Sequence, residues 1–164
     1  MLKEGGAHER EYIIVDDGSK DNSSFIIKSL LKKLPGKVIL LRRKNMGASY
    51  STNEAVSLVR GFWIRLLDGD DRVTYKSTEN MLNLATRCKK EFVYGKMHEE
   101  KEIFKNKEKL KYTIQKKKEG LRKFIRNCPA NSSCILISKR RYYLSGGCHE
   151  SFVSPDQYLF LRLF

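Results

Sequence analysis

The feature that most constrains this chain is a short run of aromatic and β-branched residues that stops abruptly on acid. Tyr12-Ile13-Ile14-Val15 is apolar at every position and ends in Asp16-Asp17-Gly18-Ser19. An apolar run without alternation fits a strand buried on both faces, the kind found inside parallel sheets. Asp21, Asn22 and Ser23 then supply helix-starting side chains, and Ile26, Ile27, Leu30, Leu31 and Leu34 share one helical face. Pro35-Gly36 stops that helix.

The same sequence of elements recurs. Val38 to Leu41 reads as a second buried strand, Asn45-Met46-Gly47 as a turn, and about Ala48 to Val59 as a helix of small residues with Gly61 beyond its end. Phe62 to Leu67 reads as a third strand and runs into Asp68-Gly69-Asp70-Asp71. A helix from about Ser77 to Arg87 and a short strand at Phe92 to Tyr94 follow. Strands that alternate with helices predict an α/β fold with a mostly parallel central sheet and helices on both faces. Beyond Pro129, Cys134 to Ile137 reads as a strand and Arg140 to Leu144 as a short helix ended by Gly146-Gly147. Pro155 suits the first turn of a last helix that reaches Leu163.

A chain of 164 residues suits one domain with its own core. No apolar run approaches the length that crosses a bilayer, and the N-terminus has no signal-peptide pattern, so a cytoplasmic location is expected. Cys88, Cys128, Cys134 and Cys148 form no Cys-x-x-Cys pair, which fits reduced thiols better than a zinc site. His8, His98 and His149 lack catalytic or ligand spacing and read as surface residues. The net charge of +14 attracts phosphates, nucleic acid or an anionic membrane face without choosing among them. Much of that charge lies in a lysine-rich amphipathic insert over residues 96–126. There Ile103, Leu110, Ile114, Leu121 and Ile125 predict an apolar stripe on one long helix. The insert packs on the domain, or its basic face meets a membrane or an anionic acceptor.

Ligands of parallel sheets bind where strands end. Two acidic loops fall at such ends: Asp16-Asp17, and Asp68, Asp70 and Asp71. Two carboxylates two residues apart, with Gly69 between them, can converge on one hard cation, Mg²⁺ or Mn²⁺. Such an ion completes its shell with water and substrate phosphates, so the loop predicts a diphosphate substrate.

These segments resemble family 2 glycosyltransferases, which have the GT-A fold. Tyr12 to Ser23 is similar to the family's nucleotide-binding segment, and Asn45-Met46-Gly47 with Asn53 and Ala55 to its next motif. Phe62 to Asp71 resembles its strand with an Asp-x-Asp signature, and Asn131 to Arg140 the strand beside the acceptor site. Gly146-Gly147 and Ser154-Pro155-Asp156, with Tyr158 and Leu161-Arg162, resemble its catalytic segment. The resemblance implies a nucleotide-binding sandwich and transfer of a sugar from a nucleoside-diphosphate sugar, a UDP-sugar first among them, to a glycan or lipid-linked acceptor hydroxyl, with inversion. It implies that Asp16 contacts the donor base or ribose, that Asp17 supports that loop and that Asp68 lies near ribose and diphosphate. Asp70 would ligate the metal and Asp156 would be the general base, with Pro155 where the family usually has Glu.

Family members begin with a further strand and helix that residues 1–11 are too short and polar to supply. The expected unit is therefore one partial, N-terminally truncated catalytic domain over residues 1–164, at the inner face of the membrane if the basic helix makes peripheral contact. Two other readings compete: a non-catalytic remnant of such an enzyme, and a basic nucleic-acid-binding module. The second lacks any nucleic-acid-binding motif, and its paired acidic loops would repel phosphate unless a metal intervenes, so no nucleic acid is expected as a partner.

Overall fold

The computed structural model describes residues 10–96, 112–127, 130–151 and 155–164. The strands are β1 (Glu11–Asp16), β2 (Lys37–Arg42), β3 (Trp63–Arg65), β4 (Phe92–Tyr94) and β5 (Ile135–Ser138). The helices are α1 (Ser23–Leu31), α2 (Ala48–Leu58), α3 (Ser77–Cys88), α4 (Lys117–Asn127), α5 (Lys139–Leu144) and α6 (Pro155–Leu163). Up to Tyr94, strands and helices alternate as the hydrophobic periodicity predicts, which makes the fold α/β.

The sheet departs from expectation. Among the described residues it is two sheets, not one mostly parallel sheet. One is a parallel pair, β1 with β2, in register from Glu11 opposite Lys37 to Asp16 opposite Arg42. The other has the order β3-β5-β4, and both of its ladders are antiparallel. Alternation implies that β3 and β4 run in the same direction, and they do, since each is antiparallel to β5. It gives no warning that a strand from much later in the chain separates them.

That central strand explains the core. Ile135, Leu136, Ile137 and Ser138 are all buried, because β5 has a neighbour on each edge and cover on each face. On one side lie Val56 of α2, Phe124 of α4, and Leu159, Phe160 and Leu163 of α6. Phe124 stacks on Phe160 with ring centroids 4.6 Å apart, and Phe164 meets Phe92 edge-on. On the other side Leu136 packs with Met81 and Ala85 of α3.

Two apolar faces are arranged differently from the sequence reading. In α1, Ile26 and Leu30 are exposed together with Phe25, while Ser24 is buried. In the described part of the lysine-rich segment a helix begins at Lys117, and Ile114 precedes it in an irregular stretch. Ile125 is 65% exposed, whereas Phe124 is 4% exposed. An aromatic ring with a stacking partner buries more apolar surface than the smaller Ile125, and this sets the rotation of α4. Ile103 and Leu110 lie outside the described residues.

Candidate functional site

Asp16 ends β1 and is the only residue of that strand to be fully buried. Its Oδ1 accepts the Ser19 N–H at 2.9 Å, and Arg42 Nε of the neighbouring strand lies 3.4 Å from Oδ2. Hydrogen bonding from Ser19, through its hydroxyl and its N–H, and the Arg42 charge outweigh burial and hold this carboxyl below the usual carboxylate range. The buried Oδ2 itself accepts no hydrogen bond among the described residues.

Asp17 faces the turn before α2. Its oxygens accept the Met46 N–H at 2.9 Å, the Gly47 N–H at 2.8 Å and Arg43 Nε at 3.2 Å. Burial alone would raise this carboxyl; the two N–H groups and the guanidinium more than reverse that and lower it. Arg43 also pairs with Glu54, donates to Ser51 Oγ at 2.9 Å and lies 4.3 Å from the Tyr50 ring centroid. Gly18 allows this approach: its φ is +86°, and a Cβ there would stand 2.8 Å from the Asn45 backbone nitrogen.

The second acidic loop follows β3 and is held from the start of β5. The Asp68 N–H donates to Ser133 Oγ at 2.8 Å, and Ser132 Oγ donates to Asp68 Oδ2 at 2.6 Å. Asn131 Nδ2 donates to Asp71 Oδ2 at 2.9 Å. A turn bond from Asp71 N–H to the Asp68 carbonyl, 3.2 Å, closes the loop. Asp70 has no hydrogen bond or ion pair among the described residues. A Cβ at Gly69 would meet nothing within 4 Å, so its missing side chain leaves open space beside the backbone.

These carboxylates suit a hard divalent cation by donor type. Asp70 is uncommitted, and Asp68 keeps one oxygen clear of hydrogen bonds among the described residues. No group of three or more His, Cys, Asp or Glu gathers among the described residues. Fit to an ion is therefore limited to one that brings phosphate and water ligands of its own, as Mg²⁺ and Mn²⁺ commonly do.

The site residues thus fall into two groups, Asp16 with Asp17 and Asp68 with Asp70, and no hydrogen bond or ion pair among the described residues joins them. Asp156 stands in the first turn of α6, but its side chain lies outside the described residues. The approach to α6 is fixed by α2. Asn53 Oδ1 accepts from Tyr142 Oη at 2.7 Å and from the Cys148 N–H at 3.0 Å, and its Nδ2 donates to the Cys148 carbonyl at 2.7 Å. Ser49 Oγ donates to the His149 carbonyl at 3.0 Å. Gly147, at φ +68°, leaves room for this clamp, since a Cβ would fall 2.8 Å from Asn53 Oδ1. The His149 ring lies 5.0 Å from that of Tyr158 in α6. Burial pushes the Tyr142 phenol far up, so it remains a neutral donor.

Sequence reasoning missed the grip of Asn131, Ser132 and Ser133 on the acidic loop, and the role of Arg43. The available signal for the first was a polar triplet just before the apolar run Cys134 to Ile137.

A profile of Glycosyl transferase family 2 matches residues 2–145, a span that contains both acidic loops and stops short of Asp156. The minor teichoic acid biosynthesis protein GgaB of Bacillus subtilis (strain 168) is 33% identical over 86 residues, covering 52% of this chain and 10% of GgaB. The uncharacterized glycosyltransferase YibD of Escherichia coli (strain K12) is 36% identical over 75 residues, covering 46% of this chain and 22% of YibD. The chondroitin synthase of Pasteurella multocida (strain Pm70) is 34% identical over 86 residues, covering 52% of this chain and 8% of that protein. The chain therefore spans between about a tenth and a fifth of the first two proteins. With a match over most of its length, and the acidic loops placed after β1 and β3 within it, this chain belongs to the family 2 glycosyltransferases.

Proposed function

We propose that the chain carries a sugar-transfer site: it binds a nucleoside-diphosphate sugar, with a UDP-sugar as the first candidate, and passes the sugar to an acceptor hydroxyl. One observation carries the reading. Two acidic loops end strands inside the span matched by the family, and the second leaves Asp70 uncommitted. Asp16, with a buried oxygen that lacks a hydrogen bond, is assigned to the base or ribose. Asp17 is assigned to support that loop through the Met46–Gly47 turn. Asp68 is assigned to the ribose and diphosphate, and Asp70 to Mg²⁺ or Mn²⁺. Bound there, such a cation offsets the charge that grows on the leaving diphosphate.

Asp156 is assigned as general base. Its carboxylate takes the proton of the acceptor hydroxyl. The acceptor oxygen forms a bond to the anomeric carbon as the bond from that carbon to the diphosphate oxygen breaks. The bonding pair leaves with the diphosphate. Attack opposite the leaving group inverts the anomeric configuration. The GT-A sandwich is proposed with this assignment, as is one catalytic domain with a lysine-rich insert over residues 96–126.

GgaB and the chondroitin synthase are named for polymer synthesis, which supports a growing polysaccharide or a lipid-linked glycan as acceptor. No helix among the described residues is long and apolar enough to cross a membrane. The exposed basic side of α4 supports peripheral contact with the inner membrane face, and the proposed location is cytoplasmic.

The test is UDP release from UDP-sugars in the presence of Mn²⁺ and candidate acceptors. Asp156→Asn is expected to lower turnover by at least about a hundredfold while UDP binding stays within about twofold. Unchanged turnover in Asp156→Asn would remove the general-base assignment.

A further inference from the structure

Three consecutive side chains ahead of β5 hold three different parts of the acidic loop, across sixty or more residues of chain. Ser133, itself buried, accepts the Asp68 N–H; Ser132 donates to the Asp68 carboxylate; Asn131 donates to the Asp71 carboxylate. Asp70 stands between the two pinned acids and has no tie of its own among the described residues. Three carboxylates within four residues repel one another, and Gly69 adds backbone freedom. Without external ties, the loop would spread over many conformations, and a cation would have to order it on binding. Ordering cost of that kind is subtracted from affinity.

Orientation matters as well as order. The Ser132 hydroxyl, 2.6 Å from Asp68 Oδ2, occupies one carboxylate oxygen and fixes the plane of the group, which leaves the other oxygen to a ligand. A neutral donor does this without cancelling the carboxylate charge, as a lysine or arginine would. The Asn131 bond acts in the same way on Asp71, at the opposite end of the loop.

We propose that Asn131 and Ser132 are positioning residues for the diphosphate and metal loop, and that they set its affinity for a divalent cation without touching the donor. The proposal rests on the assignment of Asp68 and Asp70 above. It also ties the loop to β5, because only Cys134 separates the triplet from that strand.

The experiment is Mn²⁺ binding to the full chain in the presence of saturating UDP, read by electron paramagnetic resonance as the loss of the free-ion signal. Ser132→Ala and Asn131→Ala are each expected to raise the Mn²⁺ concentration for half-saturation roughly tenfold, the loss of one hydrogen bond to a charged group. Ser132→Thr, which keeps the hydroxyl, is expected to restore it to within about twofold of the parent. Thermal melts without Mn²⁺ and UDP separate the alternative. If the side chains only stabilise the fold, melting temperature drops and Mn²⁺ half-saturation stays put, which overturns the proposal. Ser132→Thr matching Ser132→Ala would overturn it too. A parent chain that binds no Mn²⁺ with UDP defeats the donor-site assignment and this proposal together, whereas parent binding with unshifted variants defeats this proposal alone.

Discussion

Neighbouring carboxylates of one loop have different surroundings. Asp16 is buried beside a strand arginine and retains an unsatisfied oxygen, while Asp17 gives its oxygens to backbone and guanidinium donors. Both carboxyls are held below their usual range. A group whose folded pKa is depressed adds stability above the unfolded value, because the unfolded chain then binds more protons as the pH falls. The contribution of this pair is complete above about pH 4 and is lost as the pH drops below it. Thermal melts between about pH 7 and pH 3 are therefore expected to show a steep fall at the acid end. In Asp17→Asn the fall is expected to be shallower, from a lower starting temperature, since an amide cannot accept from all three donors. Equal acid slopes in the two proteins would show that the Asp17 contacts carry no stability.

At the scale of elements, α2 connects the two halves of the molecule. Its start is tied to Asp17 through Gly47, and its inner face holds the 147–149 segment through Asn53 and Ser49. Removing the Asn53 amide leaves the Cys148 backbone and the buried Tyr142 hydroxyl without this partner. Asn53→Ala is expected to cost about 2–3 kcal/mol in urea unfolding. A loss of less than about 0.5 kcal/mol would mean that other groups or water take over these bonds. Elements with local causes were legible in the sequence: Phe92 to Tyr94 and Pro155 to Leu163 have the predicted bounds, fixed by apolar runs and by Pro155. Strand order was not, because the placement of β5 between β3 and β4 is decided by pairing across more than forty residues. The rotation of α4 was not either, since Leu121 and Ile125 satisfy helical spacing as well as Phe124 does, and only the Phe160 ring decides between them. For the site, strand-end acids were readable, whereas the Asn131 to Ser133 grip has no local signature beyond its polarity.

For the molecule as a whole, two opposing electrostatic features must coexist. A chain of net charge +14 would draw in any polyanion, yet its strand-end loops concentrate carboxylates that repel phosphate. In the proposed donor site, a divalent cation between Asp70 and a diphosphate would reconcile them. The apolar surfaces are equally uneven: β5 is wholly buried, while Phe25, Ile26 and Leu30 on α1 stand exposed. Family membership covers both regions, and the loops that define the proposed donor site lie in each of them. The most direct test of that site is calorimetric titration of UDP-sugars into the full chain, with and without Mn²⁺, for the parent and for Asp70→Ala. The expected result is binding that requires Mn²⁺ and is abolished by Asp70→Ala. Salt-sensitive binding of RNA by a parent chain that takes up no UDP-sugar would contradict the account.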